Sequence, residues 1–320
     1  MAGVHPTTSI PEILLEIFKH LRVNELGALA LVCKAWLGPA MDTRWRALEI
    51  TLKRLLRKLA PIEKSQNQYT LVPESPITQD QWNCFLEQYA NRVVNLVLNI
   101  ELDETSNKLI STLLETFGGP FGSNLTSLRW TGTASGRDSY QKLIGLLHGT
   151  KLREVNLPPE DHGVLIEHSL PTSLSHLARS APQISKLQVG GVMNSFDVSV
   201  FSRLRSLSHS RQLSASNYHN LTHCVHLQAL CLYHAEVQVT SRRSMNGANT
   251  KFPRLEKFQL YDPTDEADNM ISRSEMPVLR FLEYTKAGVA GPFTMPLLNN
   301  ILRTSPLLEA ISFIAGVLPS

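Results

Sequence analysis

From Ile10 to Leu21 the apolar residues gather on one side of a helical wheel. With Leu14 as zero and about 100° per residue, Ile10, Ile13, Leu14, Leu15, Ile17, Phe18 and Leu21 fall within about 100° either side, and Glu12, Glu16, Lys19 and His20 take the opposite arc. Ser9 and Glu12 have the spacing of a capping box, and Pro11 sits in the first turn, where its missing N–H costs nothing, so a helix is expected to start here. An apolar arc of about 200° is roughly twice what a small surface helix needs for its own core, and something else must cover part of it. A second cluster follows at Leu26, Leu29, Leu31, Val32, Cys33 and Trp36, then a break near Gly38-Pro39, then a third at Met41, Trp45 and Leu48. Three short helices in about 40 residues bury too little surface to be securely stable alone. A partner that completes their core is physically reasonable, and a helical subdomain packed on the rest of the chain is the alternative.

Beyond this segment Leu52, Leu55, Leu56 and Leu59 would share one helix face, with Lys53, Arg54, Arg57 and Lys58 opposite as a solvated face. Glu49-Ile50-Thr51-Leu52 could equally be a short strand. Ser65 to Ile77, with Pro73 and Pro76, reads as a loop, and a new helix starts near Thr78, capped by Gln81 and burying Trp82, Phe85, Leu86 and Tyr89. From there one pattern recurs: an apolar residue, two variable ones, an apolar residue, one variable, an apolar or aromatic one. It occurs at Val93-Leu96-Leu98, Leu125-Leu128-Trp130, Leu152-Val155-Leu157, Ile184-Leu187-Val189, Leu227-Leu230-Leu232, Leu255-Phe258-Leu260, Leu279-Leu282-Tyr284 and Leu308-Ile311-Phe313, with Leu204-Leu207 a weaker instance. Starting points lie 20 to 32 residues apart, near the period of leucine-rich repeats. A proline stands two positions before the first apolar residue at Pro182, Pro253, Pro277 and Pro306. Helical stretches lie between, such as Leu109, Ile110, Leu113, Leu114 and Phe117, ended by Gly118-Gly119, and Leu143, Leu146 and Leu147, ended by Gly149. Each unit is too small to bury its apolar face alone, so neighbours should stack into a curved array with strands inside. No unit carries an asparagine three positions after its last apolar residue and the spacing is irregular, which leaves a generic α/β domain as the alternative.

With 42% hydrophobic and 18% charged residues the chain should fold rather than remain disordered. Thirty-one basic against 28 acidic residues leave a net charge of +3, too weak a field to argue for nucleic acid or membrane. The start lacks a basic segment followed by an apolar stretch, and no run approaches the roughly 18 apolar residues of a membrane span, so an intracellular protein, cytoplasmic or nuclear, is expected. Cys33, Cys84, Cys224 and Cys231 are too few and scattered for a disulfide framework. Asn124-Leu-Thr126 and Asn220-Leu-Thr222 match the glycosylation pattern but lack an entry route to the secretory pathway, and are read as chance matches. The phosphate-binding, dinucleotide, serine-hydrolase and metalloprotease motifs are all absent. His219, His223, Cys224, His226, Cys231 and His234 form a cluster rich in zinc-type ligands, but without paired two-residue ligand steps; it is read as structural, with no metal. The chain ends on Ile314 to Ser320 without an evident polar cap, so further repeats are a possibility.

Ile10-Pro11-Glu12-Ile13-Leu14-Leu15-Glu16-Ile17-Phe18-Lys19-His20-Leu21, then Leu26, then Leu31-Val32-Cys33-Lys34-Ala35-Trp36, with Trp45-Arg46 beyond, closely resembles the F-box family. Ile10 replaces the family's usual leucine before the proline. Cys224, three before Leu227, resembles the Cys-Pro-x-Leu variant of some F-box repeat proteins, and the whole is similar to fungal-type F-box proteins with a leucine-rich-repeat-like C-terminal region. The resemblance implies an α+β chain: a three-helix F-box over 1–50, a helical linker over 51–90, and an irregular α/β leucine-rich-repeat-like solenoid over 91–320. It implies docking on the small adaptor of cullin-RING ubiquitin ligases through Ile10, Pro11, Ile13, Leu14, Ile17, Phe18, Leu21, Val32, Cys33 and Trp36, as a helical face and its support. The role would be substrate receptor, with no cofactor and no catalysis of its own; an adaptor-binding scaffold outside any ligase, or a hydrolase or transferase on the α/β part, are the rival readings. Strand periodicity turns Arg129, Glu154, Lys186, Gln188, Tyr233, Lys257, Gln259, Tyr261, Phe281 and Glu283 outward. Tyr233, Tyr261 and Phe281, joined by Arg129, Lys257 and Glu283, are the candidate target-binding residues, and the three aromatics are expected to form one patch.

Overall fold

The computed structural model describes residues 11–59, 62–65, 68–71, 77–99, 104–117, 121–131, 142, 144, 145, 147, 149–157, 169–190, 197–210, 215–233, 250–287 and 294–316. Ile10, Ser9, Pro73, Pro76, Gly118-Gly119, Leu143, Leu146 and His234 lie outside them, as do the last residues of the chain. Two compact units are present, residues 1–135 with 142–152 and residues 136–141 with 153–320. Among the described residues no helix is long and apolar enough to cross a membrane.

The first unit opens with α1 (Pro11–Phe18), α2 (Val23–Leu29) and α3 (Lys34–Arg46). The break expected at Gly38-Pro39 falls earlier. Cys33 is extended and caps α3, which runs through Pro39. Pro39, the sixth residue of α3, removes a ladder bond inside the helix without ending it, and the chain instead bends over 30–33. α3 passes directly into β1 (Ala47–Thr51), so the strand reading of Glu49 to Thr51 is the observed one, followed by the short helix α4 (Leu52–Leu56). Leu52, Leu55 and Leu59 are buried, while Arg54, Arg57 and Lys58 are exposed. The loop expected over Ser65 to Ile77 is in part a hairpin, β2 (Ile62–Ser65) antiparallel to β3 (Gln68–Leu71); Ser65 pairs with Gln68 across it. The strand alternates, Tyr69 and Leu71 against Gln68 and Thr70, but four residues beside Pro73 and Pro76 are too few to stand out from a loop in the sequence.

The cap at Thr78 is as expected. Its side chain accepts from the Gln81 N–H at 3.3 Å, and the Gln81 Oε1 accepts from the Thr78 N–H at 2.9 Å, starting α5 (Gln79–Gln88). Trp82 then stacks on Phe117 of α6 (Glu104–Phe117), centroids 5.1 Å apart. β1 pairs in parallel with β4 (Asn95–Asn99), and β4 with β5 (Ser127–Thr131), which aligns Leu48, Leu96 and Leu128 across the strands.

The second unit repeats a strand and a connection: β6 (Glu154–Asn156), α7 (Ser169–Ser180), β7 (Lys186–Gly190), β8 (Ser206–Ser210), α8 (Ala215–Asn220), β9 (Ala229–Tyr233), β10 (Thr250–Lys251), β11 (Lys257–Tyr261), α9 (Asp265–Ile271), β12 (Ser274–Glu275), β13 (Phe281–Ala287), α10 (Thr294–Thr304) and β14 (Ala310–Gly316). The strands stand in the order β6-β7-β8-β9-β11-β13-β14, all parallel, and β10 pairs with β12 apart from them. Each apolar hexad therefore marks a strand, the weak Leu204-Leu207 instance included.

Backbone hydrogen bonds explain why the pattern has this form. The N–H of the first apolar residue donates back three residues, Ile184 to Ala181, Leu204 to Phe201, Leu227 to Cys224, Leu279 to Met276 and Leu308 to Ser305, at 2.9–3.2 Å. This closes a β-turn in which Pro182, Pro277 and Pro306 hold the second position, where their fixed φ suits the turn. The next two N–H groups share one carbonyl of the preceding unit: Arg205 and Ser206 on Ser185, Gln228 and Ala229 on Arg205, Glu256 and Lys257 on Gln228, Arg280 and Phe281 on Glu256. Every unit is thus set in the same register on its neighbour, and the second and third apolar residues are driven to one face of the sheet. These residues are buried through β13, whereas Ile311 and Phe313 of β14 are exposed. The Tyr284 hydroxyl there donates to Asp268 on α9 at 2.9 Å, and Lys286 reaches both Asp268 (3.1 Å) and Asp265 (2.7 Å). A regular parallel sheet is what the structure shows of the repeat reading.

Candidate docking surfaces

Side-chain burial divides the three N-terminal helices into support and surface. Leu14 on α1, Phe18 one turn later, Leu26 on α2 and Ala40 on α3 form the core, with Leu21, Leu29, Ala30 and Trp36 packed around it. Phe18 and Trp36 meet edge-on, ring centroids 5.6 Å apart. Leu14 and Phe18, each 2% exposed, belong to the support within the expected docking set: they hold the helices together. Pro11, Ile13 and Ile17 of α1 are exposed, Ile17 by 52%, and Cys33 is half-buried. In the bend between α2 and α3, Val32 is 60% and Leu31 86% exposed, and Leu37 of α3 is exposed as well. Leu31 and Leu37 were not among the expected contacts. A helix-wide apolar run hides such residues, because only the bend at 30–33 turns them away from the core. An apolar surface of this density on so small a module is the usual mark of an interaction site.

The surface is anchored within its unit. Trp45 of α3 packs on Tyr89 at 4.6 Å, and the Arg92 guanidinium forms an ion pair with Asp42 of α3 and donates to the Gly38 carbonyl at 3.3 Å. A comparison with known families matches the F-box-like domain to residues 11–51, the span of α1, α2, α3 and β1. Residues 11–51 are an F-box-like domain. No curated protein matches the chain as a relative. The F-box-like domain supports a role in binding the adaptor typical of ubiquitin-ligase subunits of this type.

The second surface is the sheet face away from the helices in the unit that follows. Tyr233 of β9 and Tyr261 of β11 are aligned by the register, and their rings stack 4.7 Å apart at 7°. A row below, Gln259 donates through Nε2 to the Glu283 Oε2 at 2.6 Å and to the Tyr261 hydroxyl at 3.0 Å. Hydrogen bonding to Glu283 from Gln259 and, second, from Tyr261 holds its carboxyl below the usual carboxylate range. Burial, with Glu283 beside it, pushes the Tyr261 phenol up. A hydrogen bond with Cys231, with burial second, pushes that of Tyr233 up to about 12. Both rings are neutral phenols at any ordinary pH.

Phe281 does not join them. It lies opposite Lys257 and Ala310, whereas Thr285, four residues on, stands opposite Tyr261. Four strand residues span about 13 Å, so the expected single aromatic patch is two features separated by the Gln259–Glu283 row. The aromatic is the first outward residue of β13 but the last of β9 and β11, a difference of phase already present in the hexads, where Phe281 precedes Leu282 but Tyr233 and Tyr261 follow Leu232 and Leu260. Arg129 is exposed on β5, in the first unit, while Lys186 is tied to Glu154 at 2.6 Å.

The histidine and cysteine cluster is dispersed. His219 and His223 are exposed with rings 5.8 Å apart, His226 lies 3.3 Å from Arg254, and Cys224 is buried under Val198. Among the described residues no three His, Cys, Asp or Glu side chains are grouped to hold a metal ion.

Proposed function

We propose that the protein is the substrate-recognition subunit of an SCF-type cullin-RING ubiquitin ligase, an F-box protein of the fungal type acting in the cytoplasm or nucleus. The observation that carries this reading is the uncovered apolar surface of the F-box-like domain at Ile13, Ile17, Leu31, Val32 and Leu37, over a core that is already complete at Leu14 and Phe18. Such a module gains stability by burying that surface on an adaptor, at roughly 25 cal/mol for each Å² covered. The recurring turn, strand and connection support reading residues 91–320 as a leucine-rich-repeat-like solenoid, with the outward sheet face around Tyr233, Tyr261, Phe281, Lys257 and Glu283 as the target surface. No catalysis is assigned to this chain. It would act by raising the concentration of a bound target near the ubiquitin-carrying enzyme.

The test is reconstitution. Purified chain, adaptor and cullin-RING assembly should ubiquitylate proteins that co-purify with the chain, and joint Ile17→Asp and Val32→Asp substitution should abolish ubiquitylation while leaving target capture intact. Adaptor binding without any cullin in the complex would instead assign the chain to a scaffold role.

A further inference from the structure

β13 and β14 differ in side-chain size on their outward face. The register sets Phe281 opposite Ala310 and Glu283 opposite Ser312, so two small residues lie beside an aromatic and a carboxylate. The result is a hollow of about 440 Å³ over the strands, lined also by Lys257 and Gln259. Phe281 is 46% exposed at its edge. Glu283 is fixed, since Gln259 bonds its Oε2 at 2.6 Å and is itself held by the Tyr261 hydroxyl.

The Glu283 carboxylate feels a minor attraction from Lys257 on the same hollow but has no cation bonded directly to it. Elsewhere in the unit Glu154 pairs with Lys186, Glu275 with Lys251, Glu309 with Arg280, and Asp265 with Lys286. Among the described residues no lysine or arginine forms an ion pair with Glu283. A positioned carboxylate with no direct ion-pair partner, next to an exposed aromatic face in a recess that fits one long side chain, is complementary to a cation with an apolar stem. Guanidinium suits it better than ammonium, because its planar fork bonds a carboxylate with two donors and stacks on a ring.

We propose that this hollow accepts an arginine side chain of the target protein, its guanidinium on the Glu283 carboxylate and its stem along Phe281. The inference rests on the reading of this sheet face as the target surface. Lys257, on the same hollow, works against the guest, and its removal should strengthen binding.

The test uses a displayed library of random linear peptides selected on the full chain, with the selected peptides measured on variants by fluorescence anisotropy. Selected peptides should share an arginine whose change to norleucine weakens binding about tenfold, the size expected for one charge-assisted contact. Glu283→Gln should cost the arginine peptide a similar factor and the norleucine peptide nothing, Phe281→Ala should weaken it, and Lys257→Gln should tighten it. Several results overturn the inference: full affinity for Glu283→Gln, equal affinity when lysine replaces the arginine, or acidic peptides lost on Lys257→Gln. Arginine-free peptides that are lost on joint alanine substitution of Tyr233 and Tyr261 would keep this face as the target surface and remove only the arginine site. Failure to select any peptide would overturn both.

Discussion

Leu14 and Phe18 are buried in the F-box-like domain itself, so their replacement acts on folding before it acts on any partner. Phe18→Ala should cost about 3–5 kcal/mol by urea unfolding, with α1 lost from the far-ultraviolet spectrum and adaptor binding falling alongside. Unchanged stability would mean that the core is not where the burial puts it. A second prediction concerns Lys286. It is nearly buried; burial works against its charge, but Asp265 and Asp268 outweigh that and raise its pKa. Asp268 is fully buried and its own pKa is raised, burial outweighing the bonds from Tyr284, Lys286 and Thr294. Lys286→Met leaves the Asp268 carboxylate without its cation and should cost about 3–5 kcal/mol at neutral pH. Because the folded pKa of Asp268 then lies further above its unfolded value, the penalty holds above that folded pKa and is relieved as pH falls through it. The gap in unfolding midpoint between variant and parent should therefore narrow as pH is lowered from neutral; a gap independent of pH would show that the loss is one of packing.

At the scale of elements, the sequence shows most clearly what local hydrogen bonding dictates. The capping box at Thr78 and Gln81 forms as its spacing requires, and Thr78→Ala should cost about 1 kcal/mol of stability, measured by denaturant unfolding. No change would place the start of α5 elsewhere. The apolar hexads after Val93 are equally legible, because each combines a turn, a shared carbonyl and a strand in one fixed phase. What pattern alone misplaced depends on contacts distant in sequence. α3 continues through Pro39 because Trp45 and Asp42 are held by Tyr89 and Arg92. β3 is not legible because its alternation spans only four residues beside turn prolines, too short to be told from a loop. The division of the F-box-like residues into core and surface was also illegible, since both lie on the same broad apolar arc of α1 and only packing against α2 and α3 separates them.

In the whole molecule, the F-box-like surface belongs to the unit of residues 1–135 and the Tyr233–Tyr261 face to the unit that follows. Substitutions confined to one should leave the other's binding unchanged. Joint replacement of Tyr233 and Tyr261 by alanine should weaken target capture and leave adaptor affinity at the parent value; a fall in both, with aggregation, would mark the stacked rings as structural. The most direct measurement is calorimetric titration of purified adaptor into the full chain and into the variant carrying Ile17→Asp and Val32→Asp. Both positions are more than half exposed, so the variant should keep the parent's spectrum and melting temperature. Charges buried against an apolar partner should then weaken adaptor binding by about a hundredfold or more. Equal affinity for the two proteins, with both folded, would contradict the assignment of this surface as the docking site.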